Sequence, residues 1–321
     1  MALGNGSFMT QFILLGLTDQ PDLQLPLFFL FLVMYMATVM GNLSLIILIG
    51  LSSHLHTPMY FFLFNLSFID LCYSSVFTPK MLINIITKKI ISYIGCMTQL
   101  YFFSFFGISE CYVLTSMAYD CYYSPLLYNI AMSPKVCSSL MLGSYLMAVL
   151  DATTLITCML RLTCDADTIS HYLCDIYPLL QLSCTSTHIL ELEVFIMGGI
   201  NIIVTSLTIF VSYGLILTNI LHISSTEGRS KAFSTCSSHI IAVFLFFGSS
   251  AFMYLKPSSV SVDDGKISSV FYTNVVPMMN PLIYSLRNKD VKLALSKTLR
   301  MGKFRSEIMS VHMVTGQGDS V

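Results

Sequence analysis

The stretch from Cys96 to Tyr122 constrains the fold of this chain more than any other part of the sequence. It has 27 residues, is apolar and is rich in aromatic side chains. As a helix it would extend for about 40 Å, which is enough to cross a bilayer with some tilt. Its body contains one carboxylate, that of Glu110, deep inside the apolar run. Because a carboxylate is unfavourable in hydrocarbon, this helix is predicted to face protein or water, as the central helix of a bundle does.

The composition of the whole chain agrees with a membrane protein. Of its 321 residues 55% are hydrophobic and 10% are charged, whereas soluble domains carry about 25% charged residues. Seven apolar runs reach or approach a spanning length, so we predict an all-α membrane protein with a seven-transmembrane helix bundle. Asp151 interrupts the fourth run and Pro277 the seventh. The runs lie at residues 24–50, 57–80, 93–121, 136–158, 192–221, 232–255 and 267–286.

The basic residues predict the orientation of the bundle. If the C-terminus is cytoplasmic, ten of the 16 Lys and Arg residues lie on that side. Asn5 begins a glycosylation sequon, and a long loop at 160–189 holds three cysteines; both features are typical of the outer side. We therefore predict an extracellular N-terminal tail (1–23), a transmembrane domain (24–286) and a cytoplasmic tail (287–321). A short amphipathic helix is expected after the seventh span.

Seven short motifs occur along the chain in a fixed order. They are Gly41-Asn42, Leu55-His56-Thr57-Pro58-Met59-Tyr60, Met117-Ala118-Tyr119-Asp120, Ser212-Tyr213, Lys231-Ala232-Phe233-Ser234-Thr235-Cys236 with His239, Pro277-Met278-Met279-Asn280-Pro281-Leu282-Ile283-Tyr284, and Ser285-Leu286-Arg287-Asn288. Together they resemble the olfactory receptor family of rhodopsin-like G-protein-coupled receptors. The resemblance implies an odorant receptor in the plasma membrane, and not an enzyme. Its expected partners are a small-molecule odorant, membrane lipid and a stimulatory, olfactory-type G protein that raises cyclic AMP.

Several polar residues lie inside apolar spans and need partners there. Asn280, which precedes the helix-breaking Pro281, is a natural partner for Asn42 and Asp70. Asp70 and Glu110 are expected on facing helices, where two adjacent carboxylates do not both stay charged: either one is protonated or a cation lies between them. The resemblance implies a sodium site formed by Asp70, Glu110 and Asn280. No other cofactor or metal is expected.

Residues at helical spacing on three spans form a candidate ligand pocket. A mostly apolar cavity with a few hydroxyls and one amide suits a small, weakly polar, neutral molecule. No carboxylate is expected in this cavity, although an amine ligand would need one. The same spacing is also compatible with helix packing alone. The family usually has tyrosine at Phe247, so one hydroxyl is lost. The candidates are Phe103, Ser104, Gly107, Ile108, Met197, Asn201, Phe247, Ser250 and Tyr254.

Four cysteines fall near the outer side, and spacing alone allows three pairings of them. The resemblance implies a bridge between Cys96, at the outer end of the third span, and Cys174 in the long loop. Cys164 and Cys184 would then form a second bridge that closes this loop.

The chain departs from the family at the cytoplasmic end of the third span. The family has Asp-Arg-Tyr where this chain has Asp120-Cys121-Tyr122, and the stretch before Pro125 is three residues shorter here. In the family, this arginine pairs with the adjacent acid at rest and reaches the G protein when the receptor is active. A cysteine at the same position can do neither. We therefore predict impaired coupling. By resemblance, the residues for coupling and activation are Asp120, Cys121, Tyr122, Tyr213, Lys231, Pro281 and Tyr284.

Other functions compete with this interpretation. The same fold could bind a ligand without coupling to a G protein. A transporter or channel is disfavoured by the odd number of spans and by the lack of an internal repeat. An intramembrane aspartyl protease needs two aspartates, whereas Asp70 faces a glutamate. No basic stripe with interleaved aromatics points to nucleic acid.

Overall fold

The computed structural model describes residues 10–18, 20–87, 89–123, 132–161, 166–183, 188–222, 225–254, 262–288 and 290–298. In this part of the chain, seven long helical segments form a bundle, as predicted. We call them the first to the seventh span. Their bounds are Pro21–Leu51, Pro58–Ile86, Tyr93–Tyr123, Pro134–Met159, His188–His222, Thr226–Tyr254 and, in three consecutive parts, Val262–Val270, Phe271–Val275 and Val276–Arg287.

The helices extend beyond the apolar runs that predicted them. The second span continues through Pro79 and Lys80 to Ile86, and the fifth begins at His188. Hydropathy detects only the part of a helix that lies in the hydrocarbon core of the bilayer. The backbone hydrogen bonds of the helix continue beyond it into the polar headgroup layer. The first five spans are each long and apolar enough to cross a membrane. The sixth has a shorter apolar segment, Cys236–Ala251.

Proline residues mark where several helices begin. The first, second and fourth spans start at Pro21, Pro58 and Pro134, where the fixed φ of proline suits the first helical position and no hydrogen bond is lost. The side chain of Ser133 caps the fourth span by accepting a hydrogen bond from the backbone of Val136. Asp151 does not break this helix, which is continuous to Met159.

The third span is the central helix of the bundle. In its most apolar stretch 61% of the residues are buried, against 28% in the first, fourth and fifth spans. Glu110 is 2% exposed and therefore faces protein. These observations confirm the central position that its single carboxylate predicted.

The seventh span is irregular at its centre. Phe271–Val275 forms a π-helical turn, and Pro277 and Pro281 follow within the next helical part. The first span approaches closely here, because a Cβ atom on Gly41 would lie 2.9 Å from Cγ of Pro281. Glycine is needed at this crossing. Asn42 then donates from Nδ2 to the carbonyl oxygens of Thr38 and Pro277, both at 3.0 Å.

A small sheet, which the sequence did not predict, covers one end of the bundle. Strand β1 (Gln11–Leu14) pairs antiparallel with β2 (Ile90–Ser92) and parallel with β3 (Thr168–Ile169). Phe12 and Leu14 point inward and are almost fully buried. The described chain is therefore not purely helical. We call this side, which also carries the Cys96–Cys174 bridge, the disulfide end, and the opposite side the Cys121 end.

A short helix follows the seventh span, at residues 290–298. Val291 and Ala294 are buried against the bundle while most of its other residues are exposed, so the predicted amphipathic helix is confirmed. Tyr60 of the second span donates to Oδ1 of Asn288 at 3.1 Å and holds the start of this segment. The division of the chain into two tails and one transmembrane domain stays a prediction.

Candidate ligand cavity and signalling residues

A cavity of about 140 Å³ opens beside the third span, on the side of the fourth to seventh spans. For comparison, an apolar cavity of roughly 150 Å³ accepts benzene. Most of the surrounding side chains are apolar or aromatic, which suits a small and compact ligand. The residues around it are Tyr73, Phe103, Ser104, Gly107, Ile108, Cys111, Asp151, Leu155, Ile176, Met197, Gly198, Asn201, Ile202, Phe246, Ser250 and Tyr272.

Seven of the nine residues predicted for the pocket line this cavity. Phe247 does not line it, and Phe246 does. Successive residues on a helix point about 100° apart, and the two rings meet edge-on with their centroids 5.2 Å apart. The tyrosine hydroxyl that the family usually has at position 247 is therefore not a loss to this cavity. The side chain of Tyr254 lies outside the described residues.

The expectation that no carboxylate lies in the cavity is wrong. Asp151, which the sequence marked only as an interruption of the fourth span, lines the cavity and is 7% exposed. Its Oδ2 atom accepts a hydrogen bond from Nδ2 of Asn201 at 2.8 Å. Tyr112 of the third span donates to Oδ1 of Asn201 at 2.6 Å. These hydrogen bonds join the third, fourth and fifth spans at the cavity wall.

Aromatic rings form another part of the cavity wall. Phe103 packs against Tyr73 and Tyr272, with ring centroids 5.9 and 5.5 Å apart. Such tilted and edge-on contacts add to the stabilisation that comes from burial alone. Because these three residues belong to the third, second and seventh spans, a ligand in the cavity touches several spans at once.

The loop at the disulfide end is attached to the bundle and reaches the cavity. The Cys96–Cys174 bridge is present, with its Cα atoms 5.5 Å apart, and confirms the predicted pairing. The backbone N–H of Cys174 donates to Oε1 of Gln99 at 3.0 Å. A short helix, Ile176–Gln181, follows, and Ile176 lines the cavity. The predicted second bridge between Cys164 and Cys184, and the sequon at Asn5, lie outside the described residues.

Asp175 caps this short helix and connects it to the seventh span. Its Oδ1 atom accepts from the backbone of Ile176 at 2.6 Å, and its Oδ2 atom accepts from the Tyr272 hydroxyl at 3.4 Å. Burial raises the pKa of Asp175 to about 6, although both hydrogen bonds favour the charged form. This buried acid was not identified from the sequence, because it lies in a loop that shows no apolar pattern.

The structure brings the three predicted polar-core residues together. Asn280 donates from Nδ2 to Oδ2 of Asp70 at 2.9 Å, and the same nitrogen lies 3.5 Å from Oε1 of Glu110. All three residues are almost fully buried. Among the described residues, Oδ1 of Asp70 and Oδ1 of Asn280 have no hydrogen-bond partner. Buried oxygen atoms without a donor are suited to a hard cation such as sodium.

At the Cys121 end, the cysteine that replaces the expected arginine is buried. Cys121 packs with Ile216 and Cys236 in a small apolar cluster, which Tyr122 and Tyr213 border. The Tyr213 hydroxyl contacts Nδ1 of His239 on the sixth span. This cluster therefore joins the third, fifth and sixth spans by packing.

The neighbouring acid has no cation beside it in the part of the chain that the structure describes. Asp120 is 2% exposed, and its Oδ1 atom lacks a hydrogen-bond partner there. Tyr284, one helical turn after Pro281, is fully buried, and its hydroxyl has no hydrogen-bond partner among the described residues. The side chain of Lys231 lies outside the described residues.

Comparison with known proteins identifies the class of this bundle. Its fold is similar to that in the crystal structure of squid rhodopsin, with a TM-score of 0.72 and 20% sequence identity. The match covers 88% of this chain and 87% of that one. The chain therefore has the seven-helix fold of that rhodopsin.

The particular family follows from sequence comparison. The olfactory receptor family model matches residues 31–301. The chain is 68% identical to human olfactory receptor 8B3 over 304 residues, which cover 93% of this chain and 97% of that one. It is 66% identical to mouse olfactory receptor 8B3 over 312 residues, covering 96% and 98%. The chain belongs to the olfactory receptor family: it is a multi-pass plasma membrane receptor for odorants that acts through a G protein.

Proposed function

We propose that this receptor binds a small, mostly apolar odorant in the cavity beside the third span and couples poorly to a stimulatory G protein. The signal would be a rise in cyclic AMP, which we expect to be weak or absent. The observation that carries the proposal is the burial of Cys121 in an apolar cluster, at the position where the family has an arginine.

The cavity supports the first part of this proposal. It lies against the third span and is bordered by Phe246 of the sixth span and Tyr272 of the seventh. A ligand that fills it contacts the spans that also meet at the Cys121 end. Its effect on signalling depends on how much better it binds the active arrangement of these spans than the resting one.

Two opposing effects of Cys121 bear on coupling. The missing positive charge leaves Asp120 without a counter-ion among the described residues, which should loosen the resting state. The same change removes a principal contact with the G protein, because a buried, uncharged thiol cannot reach a partner as an arginine does. A loosened resting state raises signalling only if the partner can dock. The second effect should therefore dominate, and the shortened stretch before Pro125 adds to it.

The polar core supports a sodium ion as a regulator of this receptor. Asp70, Glu110 and Asn280 would hold it through their side-chain oxygens, two of which have no other partner among the described residues. The ion would supply the positive charge that two neighbouring carboxylates need to remain ionised. A shared proton with no ion is the alternative.

Cyclic AMP measurements on three chains test the proposal: the parent, Cys121→Arg, and Cys121→Arg with three residues inserted before Pro125. At equal surface level we expect little response from the parent, a partial response from the single variant and a larger one from the combined variant. Cys121→Ser, which stays small and uncharged, is the matched control and should not recover signalling. A parent that signals as strongly as the combined variant would overturn impaired coupling.

The receptor-like alternative, which binds ligand but never couples, gives a different result. In that case neither repaired variant responds, although both bind the ligand. Ligand-dependent ion flux in proteoliposomes would instead identify a transporter or channel.

A further inference from the structure

The carboxylate of Asp151 is the one acidic group among the described residues around the cavity. Its Oδ2 atom accepts the hydrogen bond from Asn201, and no hydrogen bond to Oδ1 is present within the described part of the chain. Asp151 lines the cavity and is 7% exposed, so its side chain is not fully enclosed by the protein. A ligand in the cavity can therefore donate to Oδ1.

Asn201 is occupied by its neighbours and is not available to a ligand as a donor. Its two amide protons go to Oδ2 of Asp151 at 2.8 Å and to the carbonyl oxygen of Met197 at 2.9 Å. Its Oδ1 atom accepts from Tyr112 at 2.6 Å. Asn201 is thus a positioning residue, which fixes the orientation of the Asp151 carboxylate relative to the third and fifth spans.

The charges around Asp151 decide which kind of ligand suits the cavity. None of the described residues that line the cavity is Lys, Arg or His. A carboxylate in an apolar cavity is unfavourable unless a cation pairs with it, and a ligand ammonium group is such a cation.

We propose that this cavity is an amine site. It would take a primary amine with a compact apolar body, bound as its ammonium form, with the ammonium donating to Oδ1 of Asp151 and the apolar body packing against Phe103 and Phe246. The inference rests on the proposed function, in that the cavity is taken to be the ligand site. It replaces the neutral ligand predicted from the sequence by a cationic one.

The test compares two probes of nearly equal size, isopentylamine and isopentanol, in binding to the full-length receptor in lipid nanodiscs at neutral pH. Affinity is read from ligand-dependent thermal unfolding, which does not require a G protein. We expect the amine to bind the parent roughly tenfold or more tightly than the alcohol, in keeping with the strength of close charge pairs. Equal or weaker binding of the amine by the parent overturns the proposal, whatever the variants do.

Two variants test whether Asp151 causes the preference for the amine over the alcohol. Asp151→Asn retains the shape and an acceptor for Asn201 but loses the charge, so the preference for the amine should disappear. Asp167→Asn, which removes a carboxylate in the loop away from the cavity, is the matched control and should retain the preference. If Asp151→Asn folds and still prefers the amine to the same degree, Asp151 is not the amine's partner and the proposal fails.

The amine site and the proposed function can each fail without the other. A parent that binds neither probe but responds to other odorants rejects the amine site and leaves the odorant receptor proposal standing. Conversely, an amine preference that depends on Asp151, with no cyclic AMP response even in the repaired variant, supports the amine site and rejects the coupling proposal.

Discussion

Asn280 of the seventh span donates a hydrogen bond to Asp70 of the second span, at 2.9 Å, in the buried centre of the bundle. The bond leaves Oδ1 of both residues without a partner among the described residues. Buried polar atoms without partners are costly, so an ion bound beside them and beside the Glu110 carboxylate would stabilise the folded receptor.

Sodium should stabilise the parent through this site. We expect sodium chloride to raise the unfolding temperature above that in choline chloride of equal ionic strength, because the ion binds the folded state alone. Asp70→Asn should abolish the difference and make any ligand response insensitive to sodium, since half of the charge complement is lost. If the parent has the same unfolding temperature in both salts, a proton shared between Asp70 and Glu110 is the better explanation.

Removing the disulfide should destabilise the loop at the disulfide end. The loss of a native bridge typically costs about 2–5 kcal/mol, so Cys174→Ser should lose surface expression or ligand response. Cys72→Ser, which removes a thiol outside any disulfide, is the matched control and should have a small effect. Peptide mapping that finds Cys96 as a free thiol in the parent would contradict the bridge.

Asp175 should make the stability of the receptor depend on pH. Its folded pKa of about 6 lies above its ordinary value of 3.8, so the folded state binds more protons between these values. The stabilisation is complete below about pH 4, decreases as pH rises, and is lost above about pH 6. A shift of this size corresponds to about 2–3 kcal/mol.

Unfolding temperatures measured across this pH range test the effect. Asp175→Asn, which retains an oxygen to cap the short helix, should show a flatter profile than the parent. Asp167→Asn, in the same loop, should follow the parent. If the Asp175→Asn profile is as steep as that of the parent, another group is responsible for the pH dependence.

Glycosylation tests the orientation. The sequon at Asn5 is predicted to lie outside the cell, so Asn5→Gln should remove one glycosidase-sensitive shift on a gel. Asn65→Gln is the control, because the sequon that begins at Asn65 lies within the second span, where it should be unmodified, and the Asn65 side chain bonds to Phe61 and Tyr145. Absence of any shift in a parent that reaches the surface would count against the predicted orientation.

The sequence was sufficient for several features of the site. Glu110 inside an apolar run placed the third span at the centre of the bundle. The motif around Asn280 and Pro281 indicated the partners of Asp70, and the family resemblance gave the Cys96–Cys174 pairing. For Glu110 and Asp70 the reason is that a charged group in a span has few ways to be accommodated, so its identity nearly fixes its environment.

Other features depended on the tertiary structure. A span that is apolar on most sides does not show which face meets its neighbours, so the sequence could neither place Asp151 in the cavity nor choose Phe246 over Phe247. The sheet of β1, β2 and β3 joins segments that are far apart in the chain, and short strands give little local signal. The sequence by itself determined the class of the protein and its buried polar centre, because burying charge in a membrane is strongly restricted. The rotation of each helix, and with it the chemistry of the ligand cavity, was decided by packing between spans.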